Sequence, residues 1–190
     1  MKRENDKLQT MVIAALLSAI GIIIPMFAPK FLLEPASFTL ASHVPVFIAI
    51  FISPLTAISV ALITTIGFLF GGYPIVIVLR ALTHVVFATV ASFVLKKYGT
   101  ILLSTKSSLL FNFLIGILHA VCEVIVVTFF YLGSGMTSAY YEKGYILSVV
   151  VLVGIGTVIH SMIDYTIAVF VWKPLQYVIT IPVNAKIAKR

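Results

Sequence analysis

Six long apolar stretches, broken by proline, glycine and charge, take up almost the whole chain. They predict helices near residues 8–28, 39–53, 55–71, 74–96, 107–131 and 145–172. Ser53-Pro54 divides the second from the third, because proline stops the helix it follows and suits the first turn of the next. Gly71-Gly72-Tyr73-Pro74 reads as a tight turn between the third and fourth. The second stretch would reach only about 20 Å as a helix, so it should be tilted or partly embedded in protein. The first, Leu8 to Phe27, follows Lys2, Arg3 and Lys7 and superficially looks like a signal peptide. It exceeds the roughly 7–15 apolar residues of such a segment and no small-residue cleavage site follows, so it reads as a retained first helix.

Composition turns these helices into membrane spans. Of 190 residues, 61% are hydrophobic and 10% charged, against roughly 45–50% and about 25% in soluble domains. Six spans of about 20 residues each would account for the apolar content. The expected fold class is an all-α integral membrane protein, one transmembrane domain over residues 1–190 with six transmembrane helices. A water-soluble enzyme, a disordered tail, a disulfide scaffold and a second soluble domain are excluded. The one cysteine, Cys122, lies inside an apolar run and reads as a small buried hydrophobe.

The formal charge of +7 comes from cations set between the apolar runs, which makes them topology markers rather than a nucleic-acid-binding face. With six spans, Lys2, Arg3, Lys7, Lys96, Lys97, Lys106, Lys173, Lys186, Lys189 and Arg190 share a side, and only Lys30 and Lys143 lie opposite. That bias places both termini in the cytoplasm. The outer loops are then 29–38, 72–73 and 132–144, the last carrying Tyr140 and Tyr141 as a candidate lid or an interfacial aromatic belt.

Ionisable groups inside spans are costly and usually functional. Here they occur four residues apart, on one face of each helix: Arg80 with His84, His119 with Glu123, and His160 with Asp164. The fourth, fifth and sixth helices should therefore face one another. At about 1.5 Å per residue from the outer end, Arg80 and Glu123 fall at matching depth, with His84 and His119 next. His160 and Asp164 are expected deeper, in a packing or interhelical hydrogen-bonding role. Arg80 with Glu123 is either a helix-locking ion pair or the charged part of a solute pocket. His43, in Ser42-His43-Val44-Pro45, is a candidate for the pocket mouth or a solvated interfacial group. A metal site is disfavoured by the spread of depths, the absence of a His/Cys cluster motif and the cationic Arg80. There is no phosphate-binding loop, so uphill transport would need a coupling ion or a partner ATPase.

Ala15-x-x-x-Ala19, together with Phe38-Thr-Leu-Ala-Ser-His-Val-Pro-Val-Phe47 running into Ile52-Ser-Pro54, resembles the substrate-binding S component of energy-coupling factor (ECF) vitamin transporters. Pro35 through His43 and Gly72 through His84 are most similar to the niacin-specific branch. The family's helix 2–3 junction is ordinarily Gly-Pro, where this chain has Ser53-Pro54. The resemblance implies a plasma-membrane protein that binds a small vitamin near its outer face. It implies docking through Ala15 and Ala19 to a transmembrane T component energised by two ABC-type ATPases, with ATP used there and no cofactor in this chain. For nicotinate, Arg80 would take the carboxylate, His84 or His119 the ring nitrogen, and Tyr73 or Tyr140 the ring face. Glu123 would orient Arg80, or bind a cationic or protonated ligand atom. A pantothenate-like ligand fits Arg80 equally well, and a stand-alone ion-coupled transporter remains the alternative class.

Overall fold

The computed structural model describes residues 2–33, 36–178 and 181–186. Its helices are α1 (Lys2–Phe27), α2 (Val44–Ile52), α3 (Pro54–Phe70), α4 (Ile75–Lys97), α5 (Thr105–Leu132), the short α6 (Ser138–Glu142) and α7 (Gly156–Val178). A π-helical segment, Ile146–Ile155, leads straight into α7. Among the described residues four helices are long and apolar enough to cross a membrane: Glu4–Phe27, Ile75–Lys97, Thr105–Leu132 and Ile146–Val178. α3 is apolar but shorter.

Two departures from the sequence expectation shape the molecule. The stretch 29–38, expected as a plain loop, forms an antiparallel hairpin of β1 (Lys30–Leu33) and β2 (Ala36–Thr39), with Phe31 opposite Phe38. The second helix, expected over 39–53, begins only at Val44, so α2 is nine residues long and spans about 13 Å. All nine are buried, because α2 stands inside the ring of longer helices instead of crossing beside them.

Each end of α2 is held by another part of the chain. At its C-terminus the tail folds back, and the Asn184 and Ala185 amides donate to the carbonyls of Phe51 and Ile52, at 3.0–3.1 Å. These are carbonyls that a helix end leaves without a partner. The Trp172 indole donates to the Ala185 carbonyl, which ties the tail to α7. Around this end Phe47, Phe51, Tyr165 and Trp172 pack ring against ring at centroid distances of 5.4–5.9 Å. Ser53 then caps α3, its hydroxyl accepting from the Thr56 amide at 3.1 Å with Pro54 in the first turn.

α1 contrasts with α2. It packs on α3, where Gly67 lies so close to Ile22 that a Cβ there would collide with it. Its other face leaves Leu8, Met11, Val12, Leu16, Ile20 and Ile23 exposed, along with Ala15 and Ala19.

Candidate functional site

At the hairpin end of the bundle a cavity of about 150 Å³ opens between the helices. It is lined from α4 by Arg80 and His84, from α5 by Glu123, from α7 by Thr157 and His160, and by His43 just before α2. Phe38, Thr39 and Lys30 of the hairpin, Thr64 and Phe68 of α3, and Tyr73 complete the wall. The three ionisable pairs do converge on one place. α4 and α7 both contribute to it, each packed against α5 and α2.

Arg80 and Glu123 touch. The guanidinium Nη2 donates to Glu123 Oε2 at 2.8 Å, and the Thr157 hydroxyl donates to the same oxygen at 2.7 Å. The other carboxylate oxygen lies 3.5 Å from His119 Nε2 and 3.8 Å from His84 Nε2. Arg80 Nε is buried with no protein partner. A buried donor is nearly always satisfied in a folded protein, and Arg80 also lines the cavity, so a small shift of the guanidinium would let an anionic group there meet it.

All four histidines of the chain meet here. The His43 ring stands edge-on to three others, at 4.7 Å from His84, 4.8 Å from His119 and 4.9 Å from His160. His43 is therefore the hub of the cluster and not a solvated residue at the mouth. It reaches the interior because the chain leaves β2 and descends before α2 starts. Asp164 holds it there: Oδ1 accepts from the Ala41 amide at 2.8 Å, and Oδ2 from the His43 amide at 2.9 Å, with His43 Nδ1 3.0 Å away. This carboxylate from α7 fixes the backbone just before α2 across the fold, and it steadies Ala41 at φ 66°, a left-handed conformation uncommon for a residue with a side chain.

The depth expected for His160 and Asp164 is corrected by the same contacts. His160 Nε2 is 3.1 Å from the Ser42 hydroxyl and 3.4 Å from Asp164 Oδ2, level with the rest of the cluster. The π turns at residues 146–155 wind more residues into each turn and so shorten that count, and the 40–43 segment descends from β2 to meet both side chains. Phe38 seats against α7 at Gly156, where a Cβ would come within 2.6 Å of the ring.

Tyr73 lines the cavity and stacks on Phe68, with centroids 4.7 Å apart and planes 22° from parallel. Tyr140 does not line it. It is buried beside Val127, Val149 and Val153, in a small apolar cluster that also holds Phe38. The 132–144 segment folds down onto α5 through Tyr141, whose hydroxyl donates to the Tyr131 carbonyl, and the hairpin covers the cavity instead. Burial pushes the Tyr73 and Tyr140 phenols above their ordinary range, in Tyr140 against the opposing pull of Arg80, so both remain neutral hydroxyls. His119 is fully buried behind His84 and His43 and does not reach the cavity surface.

Sequence reasoning passed over Thr157, Ser42 and Lys30 as contributors. Thr157 carried a signal, since it precedes His160 by three residues and so shares its helix face. Lys30 was read only as a topology marker.

A helical protein with several apolar spans and a cavity lined by charged and imidazole groups between its helices has the form of a membrane protein built around a small-solute site. No family model matches the chain, and no solved structure does. It is 44% identical over 166 residues to the niacin transporter NiaX of Lactococcus lactis subsp. cremoris (strain MG1363), an alignment covering 87% of this chain and 73% of that protein. The chain belongs to the NiaX family of niacin transporters, the niacin branch of the ECF S components that its sequence resembles.

Proposed function

We propose that this chain captures niacin from the outer face of the membrane and delivers it inward with an ATP-driven ECF module. The observation that carries the reading is Arg80, held by Glu123 on one edge while its side chain lines the cavity. A carboxylate accepts from a guanidinium by charge-assisted hydrogen bonds. The cavity volume of about 150 Å³ matches that of an interior site known to accept a single benzene ring. Tyr73 offers a ring face, and His84 and His43 offer nitrogens for the pyridine end.

On this reading six helices traverse the bilayer region, α2 and α3 being short and sheltered by the rest. Both termini are cytoplasmic, as the concentration of Lys and Arg at the α4–α5 junction and the chain ends supports. The hairpin and Tyr73 then face outward. Ala15 and Ala19 lie exposed on α1, where small residues permit close approach of a partner helix, and we assign them to the contact with the T component.

Equilibrium binding of labelled nicotinate to the purified protein tests the ligand, with nicotinamide and pantothenate as competitors. Nicotinate should bind, and Arg80→Ala should remove most of the affinity; equal binding of pantothenate, or undiminished binding by the variant, overturns the assignment. Uptake into vesicles distinguishes the ECF reading from a stand-alone ion-coupled transporter. It should require the T component and the ATPases, and should survive dissipation of ion gradients.

A further inference from the structure

We propose that the imidazoles of His43, His84 and His119 form a binding site for a divalent transition-metal ion of the zinc, nickel or cobalt class on the wall of the cavity. One ring nitrogen from each lies within 4.8 Å of the others. Three nitrogens at about 2.0–2.1 Å from a tetrahedral ion stand roughly 3.4 Å apart, so side-chain adjustments of about an ångström close the site around it.

Four observations favour an ion over mere packing of rings. The first is that both nitrogens of His119 are buried without a hydrogen-bond partner, although a neutral imidazole carries one donor and one acceptor. Coordination would satisfy one of them and leave the other to Glu123. Second, each ring has a carboxylate oxygen at its back: Asp164 at 3.0 Å from His43, and Glu123 at 3.5 Å from His119 and 3.8 Å from His84. The hydrogen-bonded carboxylate behind His43 fixes its ring orientation and raises nitrogen basicity, the usual outer shell of an imidazole-bound metal, and Glu123 lies within a small adjustment of the same role for the other two. With Nδ1 of His43 on Asp164, Nε2 is the nitrogen left for the ion.

Third, the positive charge of Arg80 does not oppose a cation here, because the guanidinium is paired with Glu123 at 2.8 Å. Asp164 has no such basic partner and offsets part of a divalent charge. Fourth, three protein ligands with the cavity on the remaining side match the open arrangement that leaves one position for an outside donor. A second trio, His43, His160 and Asp164, is equally compact. Its carboxylate is already engaged by two backbone amides, which makes it the weaker choice.

The test uses the full chain in detergent, with any affinity tag removed, stripped by a chelator and then dialysed against cobalt(II). The expected result is about one cobalt per chain with the visible absorption of a four-coordinate, imidazole-bound ion, displaced by zinc. His84→Gln and His119→Gln should each abolish that spectrum. Asp164→Asn should keep the spectrum but weaken cobalt binding by about 10–100-fold, as loss of an outer-shell carboxylate does. Each variant is checked for the wild-type helical circular dichroism and elution volume, so that loss of the ion is separated from loss of the fold. No cobalt retained by wild type, or cobalt retained equally by the folded histidine variants, overturns the proposal.

Discussion

The two ends of α2 lie about 13 Å apart on one apolar helix, yet they sit in opposite surroundings. The C-terminal end is closed. Phe51 and Ile52 are almost fully buried, Trp172 and Tyr165 pack against the aromatic rings, and the tail supplies the amides that the last carbonyls need. The N-terminal end is open, with the amides just before it taken by Asp164 and four imidazoles gathered around a cavity. The comparison shows how a membrane protein places a solute site. One end of the central helix is packed to fix it in space, so that the other can tolerate a void and a cluster of costly polar groups without collapsing.

Substitutions at the two ends should therefore fail differently. The largest effect is expected at the open end, from Arg80→Ala. It removes the cavity-lining guanidinium and leaves Glu123 buried without its cationic partner, a change of about 3–5 kcal/mol for a broken interior pair. Nicotinate affinity measured by equilibrium dialysis should fall about a hundredfold or more. At the closed end, Phe51→Ala should cost about 3 kcal/mol through the cavity it creates. Thermal unfolding in detergent should drop markedly, while nicotinate affinity of the folded fraction stays within about twofold at low temperature. An equal loss of affinity in both variants would erase the distinction between the ends.

Smaller changes sharpen it. Asp164→Asn replaces charged with neutral hydrogen bonds to the backbone just before α2, with an expected loss of about 1.5–3 kcal/mol, read as a lower unfolding temperature. Ser53→Ala removes the α3 cap beyond the closed end and should lower stability by about 1 kcal/mol without touching nicotinate binding. The smallest effect on the isolated protein is expected from Ala15→Leu with Ala19→Leu, on an exposed face. Stability and nicotinate affinity should be unchanged, and uptake with the energising module should be lost; retained uptake would move the partner contact elsewhere.

Much of the helix content was legible because long apolar runs leave few alternatives, and Ser53-Pro54 and Gly71-Gly72 mark real breaks. The matching depth of Arg80 and Glu123 was legible as well, from equal distance to the outer ends of two helices, whereas their contact was decided only by the structure. Tyr140 was misjudged because an aromatic residue in a flexible loop looks the same whether it covers a cavity or fills a neighbouring apolar pocket. His43 was underrated because its position depends on where α2 begins. Hydrophobicity cannot fix that boundary when residues on both sides are equally apolar.

The sequence by itself determined that this protein lives in a bilayer, which segments are helical, and which few side chains are too costly to face lipid. Those are local properties, set by transfer energies and by helical spacing along one segment. Only the tertiary structure decided that α2 is a buried pillar, that the hairpin and not the 132–144 segment covers the cavity, and that Asp164 joins the histidines. Each of these depends on contacts between residues more than a hundred positions apart or on the winding of a π-helical segment. Such contacts arise from packing several elements at once, which no periodicity within one element encodes.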